Sequence, residues 1–202
     1  TMKNTPQTYT QEEKEALAKG AKIYLDCIDS KHKTKDMKSP DVRVEMIGVH
    51  LEGDNQTTGI ASTIVDASNV ECAAYEFQAL YSRRMKKHAK ERGTIELETK
   101  KMSDSDHCVY YFTTRQVGSS VLHPRQTRCK VIWEKKANGT IIIDVADTEE
   151  LLEEFPVQAG SVLVKIHTVW VFEPLDHTGD VPQTAVTFTT KVNLCVLFYL
   201  LL

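Results

Sequence analysis

The strongest constraint on the fold is a predicted β-hairpin in residues 126–147. Two runs rich in β-branched and aromatic residues, 129–133 and 140–145, flank the pair Asn138-Gly139. An Asn-Gly pair tolerates the positive φ angles that a tight hairpin turn requires, so the segment predicts two antiparallel strands. We expect this hairpin to be the middle of an antiparallel meander, because similar apolar runs occur at residues 108–114, 162–172 and 185–194.

The helical periodicities place helices before and within this meander. Thr10 and Glu13 have the spacing of a capping box, which predicts a helix start ahead of an apolar stripe at Leu17, Ala21, Tyr24 and Ile28. Residues 31–40 are rich in lysine and have no period, so we predict a solvated connection. Two further helices are expected after a first hairpin: an apolar one from Asn69, capped by Asp66 or Ser68, and a highly charged one that ends at Gly93. The remaining predicted strands are residues 42–51, 57–66 and 94–101.

Composition limits the classes of function. The chain has 202 residues, 41% hydrophobic and 26% charged, with a net charge of -3, which is typical of one globular domain without overall affinity for nucleic acid or anionic membranes. The cysteines are odd in number and form no C-x-x-C pair, which favours reduced thiols in a cytoplasmic protein. They are Cys27, Cys72, Cys108, Cys129 and Cys195.

The sequence contains no recognisable catalytic or metal-binding pattern. Its seven histidines lack the H-x-x-x-H or H-E-x-x-H spacing that places two ligands on one helical face. There is also no G-x-S-x-G elbow, phosphate-binding glycine loop or dinucleotide fingerprint. We therefore predict no catalytic residues, no metal and no cofactor.

Four segments occur in a recognisable order. They are GIASTIVDASNVECAAYEF at residues 59–77, HPR at 123–125, NGTIII at 138–143 and VPQTAVTF at 181–188. In order and spacing they resemble the START (StAR-related lipid transfer) domains of the helix-grip, or Bet v 1-like, superfamily. The resemblance covers about residues 42–194. It implies an α+β helix-grip fold, with a curved antiparallel sheet, an N-terminal helix and two short helices after the first hairpin.

The chain departs from this family pattern at two places. Gln126 stands where the family usually has an acid, and Phe112 and Val131 stand where some sterol-binding members carry a buried carboxylate and arginine. Binding would then rely on apolar contact. The long C-terminal helix that roofs the family's cavity is truncated to CVLFYLLL. We therefore expect three parts: an N-terminal helix and linker (1–41), a START-like domain (42–194) and an apolar stub (195–202).

The resemblance implies a cavity that binds a lipid or sterol over the inner face of the sheet, for transfer between membranes without covalent chemistry. Strand parity predicts the lining residues. They are Tyr110, Phe112, Val131, Trp133, Ile141, Ile143, Val164, Ile166, Trp170, Val186 and Phe188.

The sequence leaves three alternatives open. The inner face needs a cover, which is a partner protein, a second copy or the N-terminal helix. The basic helix contacts an anionic membrane surface near the cavity mouth or is a solvated face; its residues are Arg83, Arg84, Lys86, Lys87 and Lys90. The alternative functions are a protein-interaction module and a superfamily cyclase or hydrolase. A titratable group in the cavity, such as Glu98, Asp144 or His167, would favour the enzyme.

Overall fold

The computed structural model describes residues 2, 8–30, 33–39, 41–50, 57–79, 83–91, 93–101, 105–116, 123–176 and 180–193. Within these residues the chain forms three helices and ten strands. The helices are α1 (Gln11–Ile28), α2 (Asn69–Ala79) and α3 (Arg83–Glu91). The strands are β1 (Lys33–Asp36), β2 (Glu45–His50), β3 (Thr57–Val65), β4 (Thr94–Lys101), β5 (Cys108–Arg115), β6 (Arg125–Lys135), β7 (Ile141–Asp147), β8 (Val162–Leu163), β9 (Lys165–Pro174) and β10 (Thr184–Asn193). The apolar stub predicted at 195–202 lies outside the described residues.

All ten strands form one sheet in the order β1-β2-β3-β10-β9-β7-β6-β5-β4, with β8 paired to β6. Neighbours along this order are antiparallel, and β8 alone is parallel to its partner. The predicted meander with the β6–β7 hairpin at its middle is therefore confirmed, as is the α+β class. The long β3–β10 pairing joins the first hairpin to the end of the meander.

The turn of the β6–β7 hairpin depends on one glycine. Gly139 has φ +87°, whereas Asn138 keeps a negative φ. The Lys136 amide donates to the Thr140 carbonyl at 2.8 Å, and the Asn138 side chain accepts from the Thr140 amide at 3.1 Å. Only the glycine of the Asn-Gly pair uses the left-handed region, which is open to it because it has no Cβ.

One segment differs from its prediction. Residues 31–40 were expected to be a solvated connection, but β1 pairs antiparallel with β2 at the edge of the sheet. A polar edge strand has no hydrophobic alternation to reveal it, because its pairing comes from the backbone of its neighbour.

Helix α1 begins with the predicted capping box. The Thr10 amide donates to Glu13 Oε2 at 2.8 Å, and the Glu13 amide donates to Thr10 Oγ1 at 3.2 Å. The helix packs on the side of the sheet that we call the α1 face, where Leu17 joins Cys108, Tyr110 and Ile132 in a buried cluster. The inner face, which was predicted to line the cavity, is the opposite side of the sheet. Helix α1 therefore does not cover it.

The other side, the α2 face, carries the largest buried cluster. Side chains from β5, β6, β7, β9 and β10 meet Ala73 of α2 there, and Met2 packs in the same cluster. Helix α3 follows α2 and contacts β4 at the far end of the strand order. Gly93, with φ +85°, follows α3 and confirms the predicted C-terminal stop.

Candidate ligand pocket

Strand register determines which predicted lining residues share a face. Directly paired residues of an antiparallel ladder point to the same side. Trp133 is paired with Ile143, Ile143 with Trp170, and Trp170 with Phe188, which gives one row across four strands. The ring centroids of Trp170 and Phe188 are 4.5 Å apart. This row lies on the α2 face.

Most of the other predicted lining residues are also on the α2 face. Val131, Ile141 and Val186 are buried in its cluster, and Ile166 packs against it. Val164 is buried near the break between β8 and β9 but is not part of that cluster.

Two predicted residues are on the wrong face. Tyr110 belongs to the α1-face cluster, and Phe112 stacks on Phe155 with ring centroids 4.9 Å apart. Val109 and Tyr111 take their places on the α2 face. Strand parity could not choose between the two sets, since every residue from 108 to 112 is apolar or aromatic.

Local hydrogen bonds fix α2 over the sheet. Ser68 Oγ accepts from the Glu71 amide at 3.3 Å, while Glu71 Oε2 accepts from the Ser68 amide at 3.0 Å, a second capping box. The Asn69 side chain then donates to the Gly139 carbonyl at 2.6 Å. The start of α2 is thus tied to the turn of the central hairpin.

A pocket of about 770 Å³ lies between α2 and the strands β3, β9 and β10. Trp170, Phe172 and Val186 form its apolar wall on the sheet. Helix α2 contributes Glu71, Cys72, Tyr75 and Glu76. Of the eleven predicted residues, only Trp170 and Val186 line this pocket. Four of the others on the α2 face belong to its buried cluster instead: Val131, Trp133, Ile141 and Ile143.

Glu76 of α2 is one of the lining residues that sequence reasoning missed. Burial raises the pKa of its carboxyl above the ordinary value, because the charged form is poorly solvated beside α2 and the sheet. Its position three residues after the fully buried Ala73 puts it on the inward side of α2. The sequence signal that could have identified Glu76 is a carboxylate within the apolar stripe of the predicted helix.

Burial also raises the pKa of two other side chains on the α2 face. The pKa of the Cys72 thiol is raised, chiefly by burial, so the thiol stays protonated. The pKa of Tyr111 is raised well above its ordinary value by burial and by the neighbouring Cys129 and Glu76. Both groups therefore act as neutral side chains near neutral pH.

The three titratable residues named as enzyme indicators do not line the pocket. Asp144 Oδ1 is 2.7 Å from His167 Nε2, and this buried pair lies on the α1 face beside Gly20. Glu98 is exposed and paired with Phe112, on the same α1 face. Among the lining residues, Glu76 and Cys72 have raised pKa values, and Glu76 is the one of the two that carries a carboxyl group.

The predicted membrane-contact helix is only partly described. Helix α3 has three exposed lysines, Lys86, Lys87 and Lys90. The Lys87 Nζ is 4.0 Å from Glu91 Oε1. The side chains of Arg83 and Arg84 lie outside the described residues. Because α3 contacts β4 and the pocket is lined by β3, β9 and β10, the strand order does not place this helix at the mouth.

No group of three or more potential metal ligands occurs within the described part of the chain. None of the helices that the structure describes is both long and apolar enough to cross a membrane.

Comparison with known proteins gives matches in structure. No protein-family model and no curated protein sequence matches the chain. Human StAR-related lipid transfer protein 5 superposes with a TM-score of 0.61 at 15% identity, covering 90% of this chain and 83% of that one. A fragment of a STAR-related lipid transfer protein from Xanthomonas axonopodis gives a TM-score of 0.56 at 13% identity, covering 76% and 79%.

Norcoclaurine synthase from Thalictrum flavum also matches, with a TM-score of 0.34 at 12% identity over 79% of this chain and 82% of that one. At 13% and 15% identity, the two matches to lipid transfer proteins concern the fold. The resemblance inferred from residues 42–194 is therefore confirmed at that level, and the chain has an α+β, START-like fold.

Proposed function

We propose that this protein binds a single hydrophobic molecule of the lipid or sterol class and carries it between membranes. The observation that supports this most directly is the pocket of about 770 Å³ under α2, walled by Trp170, Phe172 and Val186. Ligand sites of small molecules are commonly of this size and are mainly apolar. The START-like fold is shared with proteins named for lipid transfer.

Binding in this pocket is non-covalent in our proposal. Burying apolar ligand surface stabilises a complex by about 25 cal/mol per Å², and an aromatic wall offers a large area for such contact. The Cys72 thiol is kept protonated by burial and is therefore a weak nucleophile. We accordingly propose a binding protein and no enzyme.

The test uses native mass spectrometry of the purified 202-residue chain, followed by organic extraction. We expect one copurifying hydrophobic molecule per chain. If none copurifies, binding of added lipids is measured through tryptophan emission. An apolar ligand should shift the emission of the wild type and of Trp133→Phe, because Trp133 is a core residue outside the pocket lining, and the shift should be lost in Trp170→Phe. A chain that neither copurifies with a lipid nor responds to any added one would refute the proposal.

Transfer requires contact with a membrane, for which we propose the exposed lysines of α3. Each lysine near an anionic surface contributes about 1 kcal/mol to binding. The triple variant of Lys86→Glu, Lys87→Glu and Lys90→Glu should lose binding to vesicles containing phosphatidylserine and keep its ligand affinity. Unchanged vesicle binding would assign membrane contact to another surface.

A cytoplasmic location is part of the proposal. Cys27, Cys72, Cys108 and Cys129 are free thiols in the structure. Reduced, buried cysteines are typical of proteins from a reducing compartment.

A further inference from the structure

The pocket combines aromatic surface with acidic side chains. Asp66, just after β3, and Glu71 and Glu76 of α2 all line it. None of the described residues that line it is basic. An apolar pocket with this one-sided charge discriminates among hydrophobic ligands by the charge of their polar group.

The three carboxyl groups differ in their surroundings. Asp66 Oδ1 accepts from the Gln183 side chain at 2.9 Å, and Glu71 caps the start of α2. Both are exposed. Glu76 is more buried, and its carboxyl has a raised pKa because burial disfavours the charged form. A cation placed beside Glu76 would offset that penalty by favouring the carboxylate.

The aromatic wall suits the same kind of ligand. The rings of Trp170 and Phe172 are nearly parallel, with an interplanar angle of 10° and centroids 6.1 Å apart. Aromatic faces attract cations and also pack against hydrocarbon. A protonated amine with an apolar body would thus interact favourably with both the acidic and the aromatic lining.

We infer that the pocket selects a hydrophobic amine, whose protonated nitrogen binds Glu76 while its apolar body lies against Trp170 and Phe172. This inference rests on the proposed function, since it specifies the ligand class of the same pocket. Asp66 and Glu71 add negative potential at the pocket and disfavour anionic ligands such as fatty acids.

The test compares three probes with the same hydrocarbon chain: dodecylamine, dodecan-1-ol and dodecanoic acid. Affinities are measured at neutral pH by calorimetry, at concentrations below micelle formation. We expect the amine to bind about tenfold more tightly than the alcohol, because the ammonium is attracted by the charge of the Glu76 carboxylate and the neutral hydroxyl is not. The acid should bind most weakly.

Glu76→Gln keeps the side-chain volume and removes the charge. It should abolish the preference for the amine, so that the amine and the alcohol bind with similar affinity. Glu98→Gln, on the α1 face, is the matched control and should behave as the wild type. Circular dichroism and thermal unfolding would verify that both variants are folded.

The outcomes separate the two proposals. Equal affinity for amine and alcohol, or a preference for the acid, would overturn the inference and leave hydrophobic binding intact. An amine preference that persists in Glu76→Gln would overturn the role of Glu76. Failure of all three probes to bind the folded protein would overturn the inference and count against the proposed function.

Discussion

Gly20 of α1 lies directly against the carboxylate of Asp144 in β7. A Cβ at position 20 would be 2.0 Å from Asp144 Oδ1, a distance that no side chain can tolerate. The same Oδ1 is 2.7 Å from His167 Nε2. Because residue 20 has no side chain, α1 can approach the sheet closely enough to cover this buried polar pair on the α1 face.

Gly20→Ala should therefore destabilise the protein. In an exposed helix interior this change would stabilise by about 1 kcal/mol through helix propensity. Here the clash with Asp144 should dominate and lower the free energy of unfolding by about 1–3 kcal/mol. Urea unfolding of the variant measures this, with the exposed Lys19→Ala on the same helix as control. A more stable Gly20→Ala would show that α1 does not pack this closely.

A second prediction concerns the stability of the folded protein at acidic pH. Burial alone would raise the pKa of Glu13, but hydrogen bonds from the Thr10 amide and from His107, whose Nε2 is 3.2 Å from Glu13 Oε2, outweigh it, so the pKa is lowered. A lowered folded-state pKa contributes stability that is present above the unfolded value and is lost as the pH falls through the folded value.

Glu13→Gln should accordingly lower the free energy of unfolding at neutral pH by about 1 kcal/mol, the scale of a lost capping interaction. The difference from the wild type should shrink on acidification and vanish once Glu13 is protonated in both folded and unfolded chains. Thermal unfolding across this pH range is the measurement, with the exposed Glu15→Gln as control. A difference that does not depend on pH would contradict the assignment to the carboxylate.

Local signals predicted much of this fold. The capping box of α1, the Gly139 turn and the apolar runs of β6 and β7 each encode their structure within a few residues, so the hairpin and the meander around it could be predicted. Tertiary context decided what these signals left open. Residues 108–112 are apolar on both sides, so only pairing with β6 shows which side faces α2.

The same reasoning explains what was missed in the site. The buried side of α1 includes Glu13 and Gly20, which an apolar stripe does not mark. Glu76 was missed because only the apolar members of the α2 stripe were considered. The pocket itself depends on how far α2 stands from β3, β9 and β10, which is a property of packing that no local pattern contains.

Glu76 gives a third prediction, for the ligand-free protein. Its raised pKa means that the folded state disfavours the carboxylate, so the wild type is penalised above the folded-state value. Glu76→Gln should raise the melting temperature at about pH 8, and the gain should disappear as the pH approaches about 4, where the carboxyl is also protonated in the unfolded chain. Thermal unfolding after delipidation checks this, with Glu98→Gln as control. An equal or lower melting temperature of Glu76→Gln at alkaline pH would show that the carboxylate is well solvated or paired.

The last prediction concerns Arg128, which is only 1% exposed on the α1 face. Its Nε donates to the Phe155 carbonyl at 2.5 Å and its guanidinium lies 5.8 Å from the Phe112 ring centroid, but both terminal nitrogens lack a hydrogen-bond partner among the described residues. Burial lowers the pKa of Arg128, as expected where a charge is poorly solvated.

Replacing a buried and incompletely paired charge by an apolar side chain of similar length is often neutral or stabilising. The free energy of unfolding of Arg128→Met should therefore equal that of the wild type or exceed it by up to about 1 kcal/mol, since methionine keeps the packing against Phe112 and Phe155. Chemical denaturation is the measurement, and the exposed Arg115→Met is the control.

A loss of about 3 kcal/mol in the free energy of unfolding of Arg128→Met would instead mean that the guanidinium is fully paired in solution, because removing one partner of a satisfied buried ion pair costs that much. Adding phosphate to the wild type would then show whether a bound anion is the missing partner, since an anion that binds only the folded state raises its stability.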